Sequence, residues 1–318
     1  MSIIKAAASA AALVAAVMSA TLTSFATEAK VPLTEKYFPD ETFRETIAQV
    51  DSNNDGYLSQ KERDRITRIE LGWCDVKTLK GIEYFKNLEY LECIWVNLTE
   101  ADLSQNTELT YLNCHINKLT ELDLSKNVKL EELYCSNNNL TSLDLSNNKK
   151  LRVLSVFNNK FEKFDVKLGS DIEELNCSYN DIAELDLSKN TKLKKLNCGY
   201  NNNLTKLDLG NNTSLEDLDC SINKLAKLDL SKCAELKKLE CYGNELTELD
   251  VSKCTKLEEL YCQWNNISEL TLGSNKELYY LKCTDNNITS LDISNCPRLD
   301  KKDPVCDKNV KITKHKKR

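Results

Sequence analysis

Nine cysteines stand at positions 93, 114, 135, 177, 198, 220, 241, 262 and 283, each 21 residues or a multiple of 21 from the last, save one step of 22 between Cys198 and Cys220. Val156 fills the one vacant place, so the period runs through ten successive units, and Ile69-Glu70-Leu71 supplies an earlier one 22 residues before Cys93. A period this strict means that one small supersecondary unit is repeated and stacked, because a single copy cannot bury its own apolar row.

The same residues return around each anchor. In one copy Leu109, Leu112, Cys114, Asn117, Leu119, Leu122, Leu124 and Asn127 precede Leu130, which opens the next. Leu-x-Cys sets two inward side chains about one outward one, the period of a strand. The Asn three after each anchor (117, 138, 159, 180, 201, 223, 244, 265 and 286) is placed to bond backbone groups that a buried turn leaves unpaired. This grammar resembles the leucine-rich-repeat consensus LxxLxLxxNxL, with Cys in the third apolar place, over residues 66–300. The resemblance implies an α/β leucine-rich-repeat solenoid: a right-handed horseshoe with a parallel sheet on its concave face. The short LDLS stretch leaves no room for a full helix on the convex side, where an extended or 3-10 segment is expected. The Val156 copy departs most, with Phe161, Phe164 and Gly169 for Leu, Leu and Asn, and Asn201-Asn202-Asn203 reads as an outward bulge.

Before the repeats, residues 51–62 match the twelve-residue EF-hand loop. Asp51, Asn53 and Asp55 offer side-chain oxygens, Tyr57 a carbonyl, Ser59 a direct or water-mediated oxygen, and Glu62 a bidentate carboxylate, which suits Ca2+. Gly56 permits the sharp turn, and helices are expected over Glu41–Val50 and Ser59–Ile66. With no second loop, residues 36–65 read as a calcium-binding lid on the first coil. Here the chain resembles the internalin-like bacterial surface proteins, in which an EF-hand-like helical cap precedes the repeats. It departs from them in its Cys-type repeat and shows neither an Ig-like domain nor an LPxTG motif after the repeats.

Residues 1–26 have the make-up of a secretory signal: Lys5 as the sole charge, a small and apolar stretch from Ala6 to Ala20, and Ser24-Phe25-Ala26 as a cleavage site. Residues 27–35 read as a linker, and no later segment is apolar enough to span a bilayer. The net charge of −6 speaks against nucleic acid as a partner. Residues 301–318, expected as a C-terminal cap and tail with Pro304 at the next anchor position, hold eight Lys/Arg against two Asp. Such a tail suits a solvated terminus, or else contact with an anionic cell envelope or acidic polymer.

Fourteen cysteines in an exported chain would ordinarily suggest disulfides. Nine share one inward column, however, and Cys233, Cys254 and Cys296 replace the second Asn of their repeats, leaving Cys74 and Cys306 outside the grammar. Parallel side chains in register have a poor dihedral for a disulfide, so free buried thiols are expected, with Cys233–Cys254 the most suspect pair. No CxxC pair exists and His115 and His315 are the only histidines, which leaves zinc without ligands.

The positions flanking each Leu-x-Cys are expected on the concave face, and aromatics gather there: Trp73, Trp95, Tyr111, Tyr134, Phe157, Tyr179, Tyr200, Tyr242, Tyr261 and Trp264, beside Tyr90, Tyr279 and Tyr280. All three Trp fall two residues after the anchor, and Trp and Tyr dominate binding hot spots. Charges before the strands alternate in sign between copies and read as internal pairs. The Asp of each LDLS reads as a turn former. No nucleophile–base set or phosphate loop is present. The expected function is therefore non-catalytic binding outside the cell of a protein or peptide partner, with a glycan stacked on Trp and Tyr as the alternative.

Overall fold

The computed structural model describes residues 2–6, 30–164, 169–299 and 304–314. Most of the expected leader, Asp165 of the LDLS series and the last four residues of the basic tail lie outside them. The chain forms two compact units, one reaching Asn159 and including Gly169, the other comprising Lys160–Phe164 and the residues from Ser170 onward.

The first unit opens with the lid. β1 (Ser2–Ala6) is followed by β2 (Val31–Pro32), α1 (Glu41–Ala48), β3 (Tyr57–Leu58), α2 (Gln60–Arg63) and the seven-residue β4 (Ile66–Gly72). β2 pairs antiparallel with β3, and Leu33 N donates to Gly56 O at 3.0 Å, so the expected linker to residue 35 is instead woven into the lid. Asp40 caps α1 by accepting from Phe43 N, while Phe43 and Ile47 turn inward beside Phe38 and Leu58. α2 has one turn rather than the two expected, because Ile66, Ile69 and Leu71 are drawn into the sheet, and tertiary pairing outweighs local helical preference there. Phe38 meets Phe43 and Phe85 at ring-centroid distances of 6.2 and 6.4 Å, which seals the lid onto the first coil.

β4 pairs in parallel with β5 (Tyr90–Ile94), Ile69 facing Leu91 and Leu71 facing Cys93, so Leu71 is the earlier anchor. Strands Tyr111–Asn113, Glu132–Tyr134 and Val153–Ser155 continue the sheet, each Leu opposite the next. β1 runs parallel along the outer edge of β4, within the segment expected to be cleaved. In the second unit six strands, from Glu174–Asn176 to Tyr280–Lys282, repeat the arrangement in the same register. Behind that sheet the LDLS stretches pair only in places, as Glu184–Asp186 with Lys206–Asp208 and Glu248–Asp250 with Glu269–Thr271. A 3-10 turn, Ile82–Tyr84, lies in the first coil.

Alternation fixes the core: the Leu and Cys of each Leu-x-Cys are at most 2% exposed. The Asn after each anchor completes it. Asn138 Nδ2 donates to the carbonyls of Cys114 and Cys135 at 3.0 and 3.1 Å, and its Oδ1 accepts from Leu119 N at 3.0 Å. Both ends of the amide thus serve buried backbone in two adjacent coils. Asn202 and Asn203 turn outward as expected, while Asn201 keeps the ladder place.

A second Asn column behaves differently. Asn127 Nδ2 donates to Leu103 O and Asn106 O at 3.1 and 2.9 Å, but the Oδ1 atoms of Asn106, Asn127, Asn148, Asn212 and Asn275 are buried with no partner among the described residues. An amide here brings an acceptor that nothing satisfies, and that explains Cys233, Cys254 and Cys296. A thiol supplies one donor without the orphaned oxygen; Cys254 Sγ points to Leu230 O at 3.9 Å. In the Val156 copy Gly169 stands in this column, where an added Cβ would lie 3.1 Å from Lys149 O.

Two cysteines thought to lie outside the repeat belong to it. Because Leu71 faces Cys93, Cys74 takes the ladder-Asn place of its coil. The bridge between Lys282 and Val305 makes Pro304-Val305-Cys306 a further Leu-x-Cys, so the next anchor is Cys306 and not Pro304. Lys311–Thr313 then pairs with Ser290–Asp292, one more coil beyond residue 300. No disulfide joins any of the fourteen cysteines, and only Cys74 and Cys306 are more than marginally exposed. Burial lifts the others, Cys114 and Cys177 to about 12. Freshly reduced native protein is expected to alkylate at Cys74 and Cys306 only, the other twelve (14 − 2) reacting after denaturation. Rapid modification of any ladder cysteine in the native state, read by mass spectrometry, would contradict this packing.

Candidate functional site

The aromatic residues that the sequence gathers into one band fall chiefly in two places, while Phe157 and Tyr242 stand one residue past their anchors and Tyr279 just before its strand. Tyr90, Tyr111, Tyr134, Tyr261 and Tyr280 belong to the strands. The column two residues past the anchor lies beyond the strand, at the turn that sends the following Asn inward. Every residue in it, from Trp73 and Trp95 through Ile116, Tyr179, Tyr200, Ile222 and Trp264 to Asp285, has φ between 52 and 65°. Backbone bonds hold this left-handed state: Trp95 N donates to His115 O at 3.1 Å and Ile116 N to Ser136 O at 3.0 Å.

Left-handed backbone favours Gly, Asn and Asp and disfavours bulky or β-branched residues by about 1 kcal/mol each. Asn137, Asn158, Gly243 and Asp285 meet that preference. Trp73, Trp95, Ile116, Tyr179 and Trp264 defy it while remaining exposed, at 65, 46, 38, 50 and 54%. They combine backbone strain with apolar surface left in water, and neither serves the fold. The Asn and Gly in the same column were the signal from which this state was readable.

Ring geometry sorts the face further. Tyr90 and Tyr111 stack at 4.1 Å and 5°, and the Arg68 guanidinium covers the other side of Tyr90 at 3.3 Å. Trp73 and Trp95 meet at 4.4 Å, and Phe157 leans on His115 at 5.6 Å. In the second unit Tyr179 and Tyr200 stack at 4.2 Å and 8°, while Trp264 takes Tyr242 at 6.1 Å with the Lys282 ammonium 5.8 Å from its ring. The hydroxyls of Tyr134 and Tyr261 donate to Glu132 and Glu259 at 3.1 and 3.0 Å. The rings thus spend much of their faces on one another and on cations, presenting edges and apolar flanks.

The charged columns are self-paired as expected: Lys194 with Glu173 at 2.8 Å, Lys195 with Glu174 at 2.8 Å, and Lys237 with Glu216 at 2.6 Å. Lys238 instead pairs within its own coil, with Glu240 at 2.6 Å. The LDLS aspartates are turn formers, Asp123 Oδ1 accepting from Ser125 N at 2.8 Å and Asp250 Oδ1 from Ser252 N at 2.8 Å.

In the lid loop, Asp51 accepts from Gly56 N at 2.8 Å, Asn53 from Asp55 N at 3.1 Å, and Asp55 from Tyr57 N at 3.0 Å, so the side-chain oxygens of the first half are held by the loop's own backbone. Gly56 sits at φ +78°, as that turn requires. Glu62 Oε1 takes Ser52 N and Oγ, and its Oε2 takes Ser59 N and Oγ, closing the loop onto α2. Burial opposes ionisation of Glu62, but these four bonds outweigh it and hold its carboxyl below the usual range. Lys30 Nζ meets Asp55 Oδ2 at 2.5 Å, placing a tethered ammonium where the loop concentrates negative charge. Among the described residues no three His, Cys, Asp or Glu side chains converge as metal ligands. The donor types fit Ca2+, but Glu62 would have to turn and Lys30 to leave.

Residues 128–167 match a family model described as leucine-rich repeats in two copies. The functional domain of InlJ from Listeria monocytogenes, reported to include a cysteine ladder, is 32% identical, with a TM-score of 0.66 over 92% of this chain and 74% of that one. The Cys-type repeat is therefore shared with an internalin rather than a departure from them. A Listeria monocytogenes internalin, InlF, is 22% identical with a TM-score of 0.56 over 88% of this chain and 98% of that one, a likeness of fold. YopM, a leucine-rich effector protein of Yersinia pestis, is 27% identical with a TM-score of 0.56 over 65% and 57%. Comparison with curated proteins finds no match. No helix among the described residues is long and apolar enough to cross a membrane. The fold implies a protein-binding role in general terms, and with its ladder of cysteines, its repeat grammar and its InlJ likeness the chain belongs to the internalin-like leucine-rich-repeat proteins of bacteria.

Proposed function

We propose that the chain is a non-catalytic binding protein working outside the cell, which grips a protein partner along its strand face and the left-handed rim beside it. What carries this reading is the rim of each unit: Trp73, Trp95 and Ile116 in the first, and Tyr179 and Trp264 in the second, are exposed at backbone positions that disfavour them. Strain and exposure together are retained where a function uses them. A protein is favoured over a glycan by the ring geometry, since stacking on a sugar needs a free face. Tyr90, Tyr111, Tyr179 and Tyr200 have at least one face covered by a neighbour. Immobilised wild-type chain, screened in parallel against a glycan array and extracellular proteins, is expected to retain a protein and no glycan. Retention of a glycan alone would overturn the choice.

The lid is proposed to bind Ca2+ through Asp51, Asn53, Asp55, Tyr57, Ser59 and Glu62, with Lys30 as its competitor. Glu62→Gln is expected to remove binding in isothermal titration, because the closing carboxylate supplies two of the oxygens. Lys30→Met is expected to raise affinity by up to about fivefold, the modest gain that follows from removing an exposed, solvent-screened competitor. No heat with wild-type protein would discard the calcium reading, and equal affinities would discard the part given to Lys30.

A further inference from the structure

We propose that Cys283 and Cys306 form a reversible disulfide that latches the C-terminal coil onto the one before it. The two residues are register neighbours. Val305 N donates to Leu281 O and Cys283 N to Val305 O, both at 2.8 Å, and the bridge sets Val305 opposite Lys282. One step further along, Cys306 falls opposite Cys283. Neighbouring parallel strands are about 4.8 Å apart, inside the Cα range a disulfide spans.

Register alone does not make such a bond, and the rest of the ladder shows why this pair differs. At Cys220 and Cys241, strands on both sides fix the backbone, with Cys220 N bonded to Glu240 O and Cys241 N to Tyr261 O. Their side chains project in parallel, and the near-perpendicular dihedral of a disulfide is out of reach. Cys306 lies outside any strand, just past an isolated bridge, and 23 rather than 21 residues after the preceding anchor. Its Sγ faces Pro304 O at 3.7 Å and interacts with the Cys283 thiol. It is also partly exposed, whereas Cys283 is buried. Here alone among the anchors a thiol at the solvent boundary, on backbone able to adjust, abuts a buried one.

The chemistry assigns an order to the two thiols. Burial pushes Cys283 up to about 12, so it is a poor first nucleophile. Cys306, once deprotonated by water, attacks a disulfide R–S–S–R such as oxidised glutathione, forming Cys306–S–S–R and releasing one thiolate that takes up a proton. Cys283 then loses its proton to solvent and attacks Cys306 Sγ, releasing the second RSH. In sum, two protein thiols and one R–S–S–R give one protein disulfide and two RSH.

The test is oxidation of the folded full chain with oxidised glutathione, followed by denaturation, alkylation and peptide mapping without reductant. The expected result is a linked pair of peptides containing Cys283 and Cys306, with twelve alkylated thiols (14 − 2). Cys306→Ser, which is mild at a partly exposed position, is expected to give thirteen (14 − 1) and no linked pair. Reduction should return the wild type to fourteen and speed proteolysis of residues 304–314. Fourteen free thiols after oxidation, a lasting glutathione adduct on Cys306, or a link elsewhere such as Cys233–Cys254 would each overturn the proposal.

Discussion

Replacing Trp73 and Trp95 together by Asn is expected to leave the chain as stable as before while weakening its hold on a protein partner by at least about thirtyfold. The two halves of that expectation have separate causes. Asn tolerates left-handed backbone, so each replacement relieves about 1 kcal/mol of strain. Against this, the packing of the two rings, 4.4 Å apart, is worth about 0.5–1.5 kcal/mol beyond burial, so its removal offsets much of the ~2 kcal/mol relieved at the two positions and leaves no net loss. Binding has no such compensation. Truncating an aromatic anchor typically costs about 2 kcal/mol or more in affinity, which is the thirtyfold factor. Denaturant midpoints of both proteins and surface-plasmon titration against the partner retained by wild type provide the comparison. A fall in stability of about 3 kcal/mol would make the Trp pair a structural element; undiminished affinity would remove the rim from the interface.

The second large effect separates the two asparagine columns. Asn138→Ala is expected to destabilise by about 3 kcal/mol, because Leu119 N is left buried without its acceptor and two carbonyls lose a donor. Asn148→Cys is expected to stay within about 1 kcal/mol of wild type. It gives up two bonds, to Leu124 O and Asn127 O, yet removes an unpaired buried oxygen. The chain already makes this exchange at Cys233, Cys254 and Cys296. Urea unfolding of the reduced proteins measures both, and equal losses would refute the distinction. Taken from sequence alone, the two columns look alike: both are Asn at fixed spacing, and nothing but geometry says that one amide is used at both ends.

The fold was legible because periodicity is a global constraint. Once Leu-x-Cys recurs every 21 residues, the inward rows, the parallel register and the place of Asn117 and its successors follow. What escaped were local contests decided by neighbours. Ser59–Ile66 carries helical signals, but Ile66 is claimed by the sheet and the helix stops at Arg63. Pro304 sat at the arithmetical anchor, and only strand pairing revealed that the last coil is two residues longer and restores Cys306 to the ladder. The candidate face was found as a composition of aromatics, while its division into mutually stacked strand tyrosines and a strained rim needed φ angles and ring planes. The motif from Asp51 to Glu62 could be proposed from sequence, whereas Lys30, outside it, emerged from tertiary structure alone.

The ladder asparagines also give the stack a direction. Asn117 serves Leu98 N and Cys93 O of the coil before its own, and Asn223 does the same for Asn201 N and Cys198 O. The ladder amide that completes each coil is therefore supplied by its successor. A chain that emerges N-terminus first keeps its newest coil with unmet backbone groups until the next 21 or so residues arrive, so ordering trails emergence by one period. The rule requires a different residue at the end. Asp307 fills that part, accepting from Asp285 N and Asn286 N at 3.2 and 3.4 Å, and a chain cut short before it would end on an open coil.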